Sequence, residues 1–289
     1  MQALDVYLND TLVGELRGER AELFFRYAPS YLSQRAPLPL SRHLPFDWDH
    51  PGQVFGDGAT RAFFANLLPE GGMREQAARA LGLSKGTSSV CWKPSVATVP
   101  GRCRWCPAEK YRQALGMPPE LKYEKEGGPG FSTCFEVVRE WSSEPLADAA
   151  ALLRWALFNF LIGNAAAHGK NLSFLYADGD VRLAPFYDLL STAVYERRVD
   201  NKFAMRMGGQ KDPRYLSGHH LEKFAAEIRV GLRVVKAQLR ELSGRVKAEV
   251  PPLAKEYRRN YASPVIIDWL ERVVSRRLAM AVAITLGEM

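Results

Sequence analysis

The hydrophobic pattern of this chain changes character once, and that change confines the fold to the α+β class. Residues 3–8, Ala-Leu-Asp-Val-Tyr-Leu, are rich in strand formers, and Asn9-Asp10 is a turn signal that lets residues 11–16 pair back as a hairpin. Residues 22–27, Glu-Leu-Phe-Phe-Arg-Tyr, read as a third strand. Residues 36–51 contain Pro37, Pro39, Pro45 and Pro51, so this stretch is extended or looped. Helices are expected from near Thr60 and near Gly72, the first carrying Phe63, Phe64, Leu67 and Leu68, and they close a small module near Leu83. Beyond about Tyr111 the period becomes helical, with apolar residues spaced for helices over 147–161, 221–242 and 264–286. One interruption, residues 171–183, reads as a hairpin around Asp178-Gly179-Asp180.

Composition narrows the class further. A chain of 289 residues with 47% hydrophobic and 25% charged residues is neither disordered nor collagen-like, nor is it a disulfide-stapled miniprotein. The net charge of +7 is concentrated late, because residues 194–289 hold 19 Lys+Arg against 11 Asp+Glu, a surplus of 8. Those cations, among them Arg229, Arg233, Lys236 and Arg240, lie on amphipathic helices. A solvated face is the first reading of such a pattern and a partner surface the second. No basic stripe interleaved with aromatics supports direct reading of nucleic acid. The N-terminus lacks a basic n-region and an apolar h-region, so no signal peptide is expected. Residues 149–162 are apolar but broken by Arg154 and Asn159, and they read as too short for a bilayer span. No membrane association is expected. Four cysteines in such a chain point to reduced thiols and a cytoplasmic location.

Residues 84–110 obey neither period. Three Cys, two Trp and three Pro crowd this segment, with Cys103-Arg-Trp-Cys106 as a C-x-x-C pair and Cys91 upstream. A structural zinc site needs four ligands, Cys134 is distant, and no His lies near it, so free thiols are expected and no zinc.

The pattern that can carry chemistry is Gly163-Asn-Ala-Ala-Ala-His168-Gly169-Lys170-Asn171, followed by Asp188 in Pro185-Phe-Tyr187-Asp188-Leu-Leu-Ser-Thr192. A buried helix ends at Gly163, a polar loop follows, and the hairpin returns the chain so that Asn171 and Asp188 flank its two ends. An amide oxygen and a carboxylate held together are suitable hard ligands for Mg²⁺, with phosphates completing the shell. That layout is also that of a kinase catalytic loop and its metal-binding Asp. Taken without relatives, His168 and Asn171 read first as capping and loop residues.

Several motifs in order resemble the HipA family of bacterial type II toxin–antitoxin kinases. They are VYLNDTLVGEL, FRYAPSYL and FFANLLPEG early in the chain, then QALGMPPELKYEKEGGPGF, FNFLIGNAAAHGKNLSFLY and LAPFYDLLST. The resemblance implies a HipA N-terminal-like module over 1–86, an irregular junction over 87–112 and a mostly helical, protein-kinase-like C-terminal lobe over 113–289. It implies ATP and Mg²⁺ as cofactors, with Asn171 and Asp188 as metal ligands. His168, Gly169, Lys170 and Tyr187 would line the phosphates and the ribose side of the nucleotide. The implied partner is a small helix-turn-helix antitoxin, with DNA reached only through it, and the family's substrates are aminoacyl-tRNA synthetases.

Two departures stand out. The family loop reads G-N-x-D-A-H-x-K-N, and Ala166 occupies the position of its Asp, the general base. Residues 84–112 also lack an S-x-x-G-x-Q-x-K-like phosphate loop, and the usual ATP-binding strands are largely missing. An inactive pseudokinase with weak or lost ATP binding is therefore expected. A single-nucleotide frame shift over the codons for residues 87–109, with a compensating deletion before Gln113, would explain the odd segment and make Cys91, Cys103 and Cys106 its by-products. The coding sequence is the check: one shifted frame must yield a string resembling the family's continuation, and a gene in which none does removes the explanation.

Overall fold

The computed structural model describes residues 2–8, 11–19, 22–35, 37–64, 102–105, 108–110, 124–177, 180–195, 201–260 and 264–287. The chain divides into two compact units, residues 1–121 with 173–184, and residues 122–172 with 185–289.

The first unit is built on β1 (Gln2–Leu8), β2 (Thr11–Glu19), β3 (Glu22–Tyr27), β4 (Val54–Phe55) and β5 (Arg102–Trp105), in the order β4-β3-β2-β1-β5. Pairing aligns Leu4 with Leu16, Leu16 with Phe25 and Phe25 with Phe55. This row of four buried side chains crosses four antiparallel strands on one face. Two short helices, α1 (Pro29–Leu32) and α2 (Asp57–Phe64), accompany the sheet. The ring of Phe25 lies 4.9 Å from that of Tyr27 and 5.5 Å from that of Phe64. Asp57 accepts from the backbone of Leu23 at 2.7 Å and pairs with Arg61 one turn on, tying α2 to β3.

The proline-rich segment carries little regular structure, as its composition requires, and a tyrosine anchors it. The Tyr27 hydroxyl donates to the Leu44 carbonyl at 2.7 Å and accepts from the Leu40 N–H at 2.7 Å, in a buried setting.

Strand β5 corrects the sequence reading of residues 87–112 as irregular throughout. It runs parallel to β1 from Arg102 to Trp105, and β6 (Ala108–Lys110) pairs antiparallel with β7 (Ser173–Ala177). Ladder hydrogen bonds are made by the backbone, so a short edge strand forms without alternating side chains to announce it. Strands β7 and β8 (Asp180–Leu183) are the hairpin expected over 171–183, and with β6 they form a second sheet within the first unit. Helix α2 starts three residues before the expected Thr60, and the helix expected from Gly72 lies outside the described residues.

The second unit holds α3 (Phe131–Trp141), α4 (Pro145–Ile162), α5 (Gly218–Glu227), α6 (Leu232–Asn260) and α7 (Pro264–Leu286). Helix α4 packs against α3, α6 and α7, which explains why it is apolar on most of its circumference. Leu152, Leu153, Ala156, Leu157, Phe160 and Leu161 are all buried, as the sequence requires. Trp155 is buried among them, whereas Trp269 is 44% exposed. At 18 residues α4 is long and apolar enough, by length and composition, to cross a membrane, and half of that stretch is buried within the protein.

The continuous helix expected over 221–242 is interrupted at 228–231. Arg229 takes a left-handed backbone (φ 52°) and the Val230 N–H reaches back to the Ala225 carbonyl at 2.9 Å, a helix-terminating turn followed by Gly231. Cys134 is a free thiol, and burial pushes its pKa up, so it is an inert core residue.

Replacing Tyr27 by Phe leaves the Leu40 N–H and Leu44 carbonyl without their partner. Equilibrium urea denaturation of the variant is expected to show a loss of about 1–3 kcal/mol.

Candidate functional site

The candidate site lies in the second unit, where α4 ends. Gly163 adopts φ 74°, and its N–H bonds the Phe160 carbonyl while the Asn164 N–H bonds that of Asn159 at 2.8 Å. A Cβ at Gly163 would come within 2.6 Å of Val273 Cγ1, so glycine is required both for conformation and for space.

Three asparagine amides then organise the loop. Asn159 Nδ2 donates to the Trp155 carbonyl at 2.8 Å, leaving its Oδ1 to accept from Asn164 Nδ2 at 2.8 Å. The same Asn164 nitrogen donates to the Asp188 carbonyl at 3.1 Å, and Asn164 Oδ1 accepts from the Ala166 N–H. Asn171 Oδ1 accepts from the His168 N–H at 2.9 Å, so its Nδ2 must face the other way, where it donates to Asp188 Oδ2 at 2.6 Å. Asn171 therefore caps the short turn Gly169–Asn171 and also meets the Asp188 carboxylate.

The returning segment is fixed as firmly. Phe186 stacks on Trp155 with ring centroids 5.9 Å apart, and the Tyr187 hydroxyl donates to the Lys170 carbonyl at 2.5 Å. Thr192 Oγ1 accepts from the Ala165 N–H at 2.8 Å. Asp188 itself has a left-handed backbone (φ 58°), which Asp tolerates better than most side chains. Its carboxylate is on an exposed residue, in contrast to the buried Asn164, Lys170 and Asn171.

The sequence-derived residues thus fall together unequally. Asn171 meets Asp188, and Tyr187 meets the Lys170 backbone. Gly169 leaves room for Pro129, whose Cγ would lie 2.6 Å from any Cβ placed there. Ala166 sits in the same loop, and Asp188 is the sole carboxylate of residues 163–172 and 185–195. Asp180 pairs with Ala177 at the turn end of the hairpin, within the first unit, and is no part of the loop. Asn159, Asn164, Phe186 and Thr192 escaped the sequence reading as site residues. A lone Asn inside a strongly apolar helix was the available signal for the first.

The donor set suits a hard divalent cation. Asp188 offers an exposed carboxylate, while Asn171 turns its N–H to that carboxylate and its Oδ1 to the His168 N–H, so the amide would have to turn over to add a second oxygen ligand, with waters or phosphates supplying the others. Among the described residues no group of three or more His, Cys, Asp or Glu side chains could form an all-protein metal cage.

Comparison with known proteins bears on this geometry. The HipA-like C-terminal domain matches residues 101–251, and the HipA N-terminal domain matches residues 4–90. The chain belongs to the HipA family. The gap between the two matches is 91–100, which is shorter than the 87–112 that the motifs left out. The Serine/threonine-protein kinase toxin HipA of Shewanella oneidensis is 32% identical over 162 residues, which are 50% of this chain and 37% of that protein. The protein Y4mE of Sinorhizobium fredii is 46% identical over 134 residues, 46% of this chain and 32% of the relative. The chain thus matches about a third of the length of these relatives. The fold matches HipA of Shewanella oneidensis, solved in complex with HipB and operator DNA, with a TM-score of 0.79, 18% identity and complete coverage of both chains.

Replacing Asn164 by Ala removes the partner of Asn159 Oδ1, the Asp188 carbonyl and the Ala166 N–H together. A loss of about 1–3 kcal/mol is expected in chemical denaturation, since these groups are largely buried.

Proposed function

We propose that this chain is a HipA-family kinase homologue that has lost phosphoryl transfer while keeping the frame of the metal site. The observation that carries the reading is Ala166. It stands where the family has its general base, in a loop whose other members hold Asn171 against Asp188 at 2.6 Å. A methyl group cannot orient or deprotonate a hydroxyl, and removing a positioned base costs roughly 10²–10⁴-fold in rate. The absence of a phosphate-loop motif in residues 84–112 supports the same conclusion and argues for weak nucleotide affinity.

In this reading Asn171 and Asp188 would hold Mg²⁺, while His168, Gly169, Lys170 and Tyr187 would line the phosphate and ribose side. The ion, when bound, supplies charge neutralisation at the nucleotide phosphates. The chain's own contribution is positional. Asn171 presents the carboxylate through its N–H, and Asn164 fixes the Asp188 backbone. Aminoacyl-tRNA synthetases, the family's substrates, would then go unphosphorylated. A cytoplasmic location goes with this reading.

A second reading, compatible with the first, is an antitoxin-binding module that modulates transcriptional repression. It is favoured by the structural match to a HipA that assembles with HipB and operator DNA. DNA would be contacted only through a small helix-turn-helix antitoxin. Gel-shift assays with such an antitoxin and its operator test it, and a mobility unchanged by this chain argues against it.

Calorimetry with Mg·ATP is the direct test of the site. Asp188→Asn keeps a side chain that tolerates the left-handed backbone and is expected to leave thermal stability near the parent while abolishing any Mg-dependent binding. Phosphoryl transfer by the parent chain at rates typical of kinases would overturn the proposal. Ala166→Asp is expected to raise transfer above the parent if nucleotide still binds.

A further inference from the structure

The turn that precedes α3 carries a carboxylate that bears on the candidate loop from outside it. The Glu124 N–H donates to the Ala204 carbonyl at 3.1 Å, and Glu124 Oε2 accepts from the Arg206 N–H at 2.6 Å. Its own carbonyl already accepts from the Gly127 N–H at 3.1 Å. The side chain therefore stands in for a backbone acceptor and completes a two-point grip on residues 204–206. A hydrogen bond to a carboxylate is about twice as strong as one between neutral groups. The Arg206 guanidinium adds only a loose, exposed contact at 3.9 Å.

The gripped segment is anchored in the core and reaches the loop. Met205 and Met207 are each 1% exposed, and Met205 Sδ lies 4.0 Å from the Cys134 thiol. From this segment the Ala204 N–H donates to the Ala165 carbonyl at 2.9 Å. That carbonyl belongs to the same peptide unit as the Ala166 N–H, which donates to Asn164 Oδ1. Both polar groups of the 165–166 peptide are thus held, one by Asn164 from within the loop and the other by Ala204 from outside. With both bonded, the peptide plane cannot turn about its flanking dihedrals, and the direction in which residue 166 leaves it is set. The far end of the same turn acts at a second point, since the buried Pro129 occupies the space that a Cβ at Gly169 would enter.

We infer that Glu124 is a positioning residue for the candidate site. It acts through Ala204 on the 165–166 peptide while Pro129 acts on Gly169, so one turn braces the loop 163–171 at two places. The inference rests on the reading of Asn171 and Asp188 as the metal frame, because this loop presents Asn171 to Asp188. Residues 124–130, 163–171 and 203–207 all lie within the helical unit.

Hydrogen–deuterium exchange on the full chain, read by mass spectrometry, tests the brace without any ligand. Glu124→Ala is expected to speed amide exchange roughly tenfold over residues 163–168 and 203–207, while residues 152–161 of α4 and the length of α6 keep parent rates. A merely structural role predicts a rise spread through those helices instead. Glu124→Gln retains an acceptor for the Arg206 N–H and is expected to restore most of the protection. Glu126→Gln, an exposed change in the same turn, should match the parent. Calorimetry with Mg·ATP supplies the second readout, with affinity falling roughly tenfold in Glu124→Ala and recovering in Glu124→Gln. The proposal is overturned if Glu124→Ala exchanges like the parent, if the rise is uniform, or if the glutamine variant does not recover. Equal affinity in the parent and Glu124→Ala overturns the positioning role while leaving the metal reading intact. A parent chain that binds no Mg·ATP removes the metal reading, and the positioning role with it, even where exchange shows the loop to be braced.

Discussion

The saturated side chain of Asn164 is the contact on which the helical unit's functional geometry rests. Its nitrogen spends both hydrogens, one on Asn159 inside α4 and one on the Asp188 backbone, and its oxygen takes the Ala166 N–H. One short amide thereby couples the rigid, buried helix to two loop segments that are 22 residues apart if counted from Ala166 to Asp188. Such networks repay their desolvation only when complete, because a half-satisfied amide in a low-dielectric interior is worse than none. The left-handed backbone at Asp188 is held inside that network, where the surrounding bonds over-determine it.

The strands and helices with clear periods were legible in the sequence. The hairpin at Asn9-Asp10, the proline-rich coil, the apolar α4 and the hairpin after Asn171 follow from turn chemistry and hydrophobic spacing. Strand β5 was not, because a parallel edge strand is specified by the partner's backbone and leaves no alternating signature. The break at Arg229 was hidden for a similar reason: a non-glycine residue took the left-handed position that glycine usually marks. Within the site, Asn171 and Asp188 could be named from oxygen chemistry and from family motifs. Asn159 and Thr192 could not, since their part is to hold backbone groups whose positions exist only once the chain has folded.

The substitution at Ala166 is instructive because it is structurally cheap. The loop is held by bonds from the Ala165, Ala166 and His168 N–H groups, main-chain donors that do not depend on the side chain at 166. The side chain at 166 therefore takes no part in these bonds, and on the proposed reading a carboxylate there would serve chemistry alone.

Unit membership and chain order do not coincide here. The hairpin β7–β8, which joins Asn171 to the segment bearing Asp188, pairs with β6 and is part of the first unit, so the helical unit is assembled from two separate stretches of chain. A cut near residue 121 would leave a fragment holding every helix from α3 to α7, yet with a hairpin whose edge has lost its neighbouring strand. An unpaired edge of this kind invites association with other chains. The two stretches of the helical unit are thus linked through a hairpin that belongs to the first unit.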